Sequence, residues 1–163
     1  MNKIGVLGKQ DGVTLMEIMI TVVLVAILSA MAVPRFLDFV GRMKARTETS
    51  TNMAYIRSAR SEAISTGVPT GITFDENQQA LLMFQDTDQS GSYSEGIDSL
   101  IIAPIPIQGS TITSNTFPNN CVIFNTDGTA NSSGQMSFSA WSDSVVTYTI
   151  NVLASTGRVR LTM

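Results

Sequence analysis

The residues predict an α+β chain in which one long N-terminal α-helix, its N-terminal half transmembrane, serves as a spine packed against an antiparallel β-sheet or sandwich head. Three observations carry that expectation. From Val13 to Val33 the only charge is Glu17, and a helix of that length reaches roughly 30 Å, the thickness of a bilayer's hydrocarbon core. Beyond Pro34 apolar residues recur at helical spacing. From Thr70 the period changes to short β-type runs. The organisation that follows is a polar leader over residues 1–12, a transmembrane helix over 13–34, an amphipathic helix over 35–66 and a β-rich head over 67–163.

The leader carries Lys3 and Lys9 and has no apolar stretch of its own. A secretory signal places its apolar stretch before the cut and ends it with small residues. Here the natural break is Gly12, ahead of the apolar run, so the hydrophobic part survives processing. Glu17 is expensive in that run: an ionised Asp at the centre of a spanning helix costs about 2.5–3.5 kcal/mol, and a Glu behaves similarly. The macrodipole favours an acid at a helix N-terminus, which accounts for the position of Glu17 but not for the glycine before it.

Phe36, Phe39, Val40 and Met43 recur at i, i+3, i+4 and i+7, and Met53, Ile56, Ala59, Ala63 and Ile64 resume the stripe after a polar patch. The pattern predicts one helix from about Thr14 to Ser65, bent near Pro34 and stopped at Gly67 with Pro69 beyond. Eight strands follow, over 71–74, 80–84, 100–102, 110–113, 121–124, 136–138, 145–152 and 158–162. Clusters of Gly, Asn, Asp, Ser and Pro separate them, and Asp127-Gly128 and Thr156-Gly157 form tight turns. There is no internal repeat.

Gly12-Val13-Thr14-Leu15-Met16-Glu17-Ile18-Met19-Ile20, with Pro34 closing the run, resembles the class III leader and N-terminal helix of type IV pilins and type II secretion pseudopilins. The resemblance implies a membrane prepilin peptidase that cuts after Gly12 and methylates the amine of Val13, where most members have phenylalanine. It implies that Glu17 is the acidic residue of assembly and Pro34 the helix-kinking proline. Physically, Val13 would carry an amine of reference pKa near 7.7–8.0, and Glu17 of a neighbouring subunit can pair with it. Each charge is costly alone in hydrocarbon and tolerable together. Tyr55-Ile56-Arg57-Ser58-Ala59-Arg60-Ser61-Glu62-Ala63-Ile64 followed by Gly67-Val68-Pro69 is similar to a stretch of the GspH/FimT branch, which supplies minor subunits. Phe124-Asn125-Thr126-Asp127-Gly128 and Gly157-Arg158-Val159-Arg160 resemble its later signatures.

The net charge of −3 becomes −4 when Lys3, Lys9 and Asp11 leave with the leader, a balance without general attraction for nucleic acid. Arg35, Arg42, Lys44, Arg46, Arg57 and Arg60 crowd the residues after the apolar run and favour their retention on the cytoplasmic side. The resemblance implies the opposite: a single-pass protein of the bacterial inner membrane with a periplasmic head, the leader lysines staying inside. Cys121 is alone, so no intrachain disulfide forms, and a lone cysteine reads as buried packing. Without histidine there is no ordinary Ser-His-Asp arrangement, no G-x-x-x-x-G-K phosphate loop is present, and the chain does not read as an enzyme. An envelope enzyme on a single anchor has only the β domain in its favour.

Two constellations invite chemistry. Asp86, Asp88 and Ser90 alternate before Gly91 as in a calcium loop, but the twelfth position is Ile97 and the nearest acids are Glu95 and Asp98, so the reading is either calcium, the one candidate cofactor, or a hairpin loop rich in turn formers. Arg158 and Arg160 share one face of a strand, where both could touch phosphates, or merely protect a sheet edge by charge. In the FimT branch the Gly-Arg-x-Arg motif is associated with DNA uptake. Arg57 and Arg60 have no pairing spacing to Glu62 and read as a solvated or filament-contacting face, and Trp141 reads as a core or interface anchor. The expected function is a minor pseudopilin or pilin of a type II secretion system or type IV pilus, acting near the filament tip. The partners implied by the resemblance are other pilins or pseudopilins, prepilin peptidase, inner-membrane lipid and the inner-membrane assembly platform. The alternative is a minor pilin that binds DNA for natural transformation through Arg158 and Arg160.

Overall fold

Helix α1, Leu15–Thr66, opens on a side-chain cap: the Thr14 hydroxyl accepts from the Glu17 amide at 3.2 Å, and the Thr14 carbonyl accepts from the Ile18 amide. The structure is a computed structural model that describes residues 12–75, 78–140 and 143–163. It divides into two units, one ending at Leu37 and the other Asp38–Met163. Within the first, α1 is wholly exposed, its apolar window reaching a mean hydropathy of 2.4, and Pro34 lies inside the helix without ending it. It is the one described helix long and apolar enough to cross a membrane.

At the far end of α1, Gly67 takes φ +70° and its amide closes on the Ala63 carbonyl at 3.1 Å, the glycine stop read from the sequence. The strands are β1 Thr70–Asp75, β2 Ala80–Gln85, β3 Ser99–Pro106, β4 Ser110–Asn115, β5 Cys121–Phe124, β6 Gly134–Ala140, β7 Asp143–Leu153 and β8 Arg158–Thr162. They form two antiparallel sheets in the orders β3-β2-β1-β5 and β4-β6-β7-β8. All eight expected strands are present. Those at β3, β6 and β7 run longer than their apolar runs, because ladder pairing carries through residues without hydrophobic alternation. Pro104 and Pro106 belong to β3, at a sheet edge, where a missing N–H is tolerated.

A common core joins the C-terminal half of α1 to both sheets through Ile56, Ala59 and Ala63 from the helix, Phe74 and Phe124 from the first sheet, and Phe138 and Ile150 from the second. The helical stripe differs from the expected one. The buried line is Gly41, Ala45, Thr49, Asn52, Ile56, Ala59 and Ala63, whereas Phe39, Met43 and Ile64 are each more than half exposed. Small residues allow close approach of helix and sheet, so the polar patch that seemed to interrupt the stripe is part of it. Thr49 satisfies its hydroxyl within the helix, donating to the Ala45 carbonyl at 2.7 Å.

Glu48 ties the helix to the β3–β4 connection. Its carboxylate accepts from the Gln108 amide at 2.7 Å, the Gly109 amide at 2.8 Å and the Ser110 hydroxyl at 2.7 Å. The segment between β2 and β3 lies over the outer face of the first sheet, where Tyr93 meets Phe84 edge to face at 5.2 Å. Phe84, Cys121 and Ile123 form a satellite cluster there, and a side chain at Gly71 would run into the Phe84 ring at 2.7 Å.

Candidate functional site

Three places carry the residues singled out by sequence. At the first, Gly12 and Val13 lie exposed ahead of the Thr14 cap, with open space around Gly12. Glu17 is at the third helical position, exposed, with its amide on the Thr14 hydroxyl. The sequence Thr-x-x-Glu opening an apolar helix suits the macrodipole and leaves the carboxylate available to a partner outside the chain.

The second place was missed as a unit. Arg57 of α1 donates to the Val159 carbonyl at 3.2 Å, and Arg60 donates from Nε to the Gly128 carbonyl at 2.8 Å. Gly128 has φ +81° in a turn whose amide returns to the Asn125 carbonyl at 2.9 Å. Thr129 pins the same turn by donating its amide and hydroxyl to Asp127, whose carboxyl is held below the usual range by those bonds. Gly157 has φ +59°, and a Cβ there would collide with the Gly128 carbonyl and come within 2.8 Å of Arg60 Nε. Thus the Arg-Ser-Ala-Arg block, the Asn-Thr-Asp-Gly block and the Gly-Arg-Val-Arg block meet at one corner.

Arg158 and Arg160 are exposed on edge strand β8, with buried Val159 between them, so they share a face as their spacing requires. The signal that could have found the whole corner is the scarcity of base. From residue 47 onward Arg57, Arg60, Arg158 and Arg160 are the only basic residues; the first three line one groove, and Arg160 lines a neighbouring one with Arg158.

The third place is the loop after β2. Asp86 and Asp98 are buried, Asp88 is exposed, and their carboxylate oxygens lie within 4.8 Å of one another. Sequence spacing named Asp86, Asp88 and Ser90. The structure gathers Asp98 with the two aspartates, while the Ser90 hydroxyl turns to the Ser92 carbonyl at 2.8 Å. Asp86 accepts from the Ser90 amide at 3.0 Å and the Gly91 amide at 3.2 Å, and Asp98 accepts from the Thr87 amide at 2.9 Å and the Ser94 amide at 2.7 Å. Burial raises the Asp86 carboxyl above its ordinary 3.8, partly offset by the Gly91 amide, and the hydrogen bonds of Ser90 lower that of Asp88. These are hard oxygen donors of the kind calcium takes.

Cys121 is buried in the satellite cluster, and burial pushes its thiol up to about 12, so it is a packing residue without nucleophilic character. Trp141 lies outside the described residues, as does the leader up to Asp11.

Residues 7–33 match the prokaryotic N-terminal methylation motif, and residues 48–157 match the family described as type II transport protein GspH. The chain belongs to the GspH family. Solved structures of similar fold include the minor pseudopilin EpsH of the type 2 secretion system of Vibrio cholerae, at 13% identity and a TM-score of 0.54, covering 73% of this chain and 96% of that one. The type IV minor pilin FimU of Pseudomonas aeruginosa is similar at 15% identity and a TM-score of 0.56, covering 72% and 92%. A second FimU structure gives 18% identity and a TM-score of 0.55, covering 77% and 92%. No curated protein matches the chain. The GspH family consists of pilin-type structural subunits and not enzymes.

Proposed function

We propose that this GspH-family chain is a minor subunit of a type II secretion pseudopilus or a type IV pilus, anchored in the bacterial inner membrane with its head in the periplasm. The observation that carries the reading is the exposed, capped, apolar start of α1 directly after Gly12, with Glu17 as its one charge. Prepilin peptidase cuts after Gly12 and methylates Val13. The assembly platform then draws the helix among those of sister subunits, where Glu17 pairs with the amine of a neighbouring N-terminus. Mass spectrometry of the chain from cells with and without the peptidase tests the cut. An intact leader in its presence refutes the reading.

Choosing between the two machines needs the presence or absence of each in the same genome: deletion of the chain abolishes secretion of a type II substrate in one case and piliation in the other. A second reading, DNA binding for uptake, is favoured by the shared exposed face of Arg158 and Arg160. Mobility shifts at low salt with Arg158→Ala/Arg160→Ala test it, and an unchanged shift excludes the motif. For the acidic loop we propose calcium on Asp86, Asp88 and Asp98, tested by thermal shift against a chelated control. No stabilisation at millimolar calcium refutes it.

A further inference from the structure

Ten carboxylate residues lie between residue 47 and the C-terminus against four arginines, three of which share one groove. Arg57, Arg60 and Arg158 line a groove of about 480 Å³, together with Ser61, Ile64 and Thr156. Among the described residues no carboxylate lies within 4.0 Å of any of the four guanidinium groups. Arg57 and Arg60 are anchored by the Val159 and Gly128 carbonyls, and each such bond uses one of five N–H donors. The fork is held in place with donors to spare, so little side-chain freedom is lost when an acceptor arrives.

We propose that this groove is a docking socket for an acidic side chain presented by an adjacent filament subunit. The inference rests on the filament-subunit reading and adds the contact to it. Three guanidinium groups converge on this one groove beside Ser61 and the apolar Ile64, an arrangement suited to a single carboxylate side chain and its methylenes rather than to the row of phosphates that nucleic acid offers. The head is otherwise acidic, so this groove is a place on it where a partner's carboxylate meets positive charge. Guanidinium groups suit such a role because they recognise carboxylates in a planar, two-pronged geometry.

The test uses the full chain in detergent at low salt, with a labelled hexaglutamate peptide and a thymidine oligonucleotide of equal charge, read by fluorescence anisotropy. Hexaglutamate binds, Arg158→Gln weakens it by about fivefold or more, and Arg160→Gln, outside the groove, changes it less than about twofold. Arg158→Lys recovers part of the loss. Circular dichroism of each variant confirms folding. Three results overturn the proposal: no hexaglutamate binding by the wild type, equal loss in Arg160→Gln, or tighter binding of the oligonucleotide. In cells, Arg158→Glu is cut and inserted normally but enters filaments poorly, and wild-type incorporation also overturns it. An uncut wild-type leader would instead refute the filament reading and leave the peptide result standing.

Discussion

Gly157→Ala tests whether the three blocks at the arginine corner are physically interlocked. The residue sits at φ +59°, where an alanine costs about 1–2 kcal/mol from backbone sterics alone. Its new Cβ would also collide with the Gly128 carbonyl and crowd Arg60 Nε at 2.8 Å, and that overpacking adds about 1–3 kcal/mol. Gly91 is the internal control. It has a similar backbone sign, φ +81°, with nothing within 4 Å of an added Cβ, so Gly91→Ala carries the first cost without the second. The assay is urea unfolding of the full chain in detergent, followed by far-ultraviolet circular dichroism, comparing midpoints at constant slope. The expected result is a Gly157→Ala loss exceeding that of Gly91→Ala by about 1–3 kcal/mol. Truncating Arg60 should relieve part of the excess, because one of the crowded atoms is then gone. Equal losses for the two glycines, or an excess untouched by Arg60→Ala, would refute the interlock.

Glu17→Ala should leave cleavage after Gly12 intact while incorporation into filaments falls, measured by immunoblots of membrane and sheared-filament fractions. Glu48→Gln should destabilise the head by about 1.5–3 kcal/mol, since it removes the charge from a carboxylate holding two amides and a hydroxyl; urea midpoints measure it. Asp86 has its carboxyl raised above 3.8 in the fold, so its contribution to stability is full below that pH and is lost as pH rises through the raised value. Asp86→Asn should therefore flatten the fall in stability above pH 3.8, read from denaturation at stepped pH. The Cys121 thiol, pushed up to about 12 by burial, should ignore Ellman's reagent at pH 8 until urea unfolds the head.

The fold was largely legible because its signals are local. An uncharged run after a glycine, a glycine stop at Gly67 and apolar runs bounded by turn residues each decide a few residues on their own terms. What stayed hidden depends on residues far apart in the chain. Arg60 and Gly128 are 68 positions apart, and no spacing rule joins them. Asp98 could be set beside Asp86 only once the segment between them had folded back over the sheet. The buried stripe of α1 was misread for another reason: hydrophobicity ranks Phe39 and Met43 above Gly41 and Ala45, but closeness to a sheet selects for small volume.

The prolines of β3 have a consequence for life in a crowded fibre. An open sheet margin ordinarily invites a second chain to zip onto it through main-chain donors, the route by which β proteins aggregate. At Pro104 and Pro106 those donors do not exist. Copies held side by side therefore meet along this margin through side chains, and a head can be carried among many neighbours without its strands fusing to theirs.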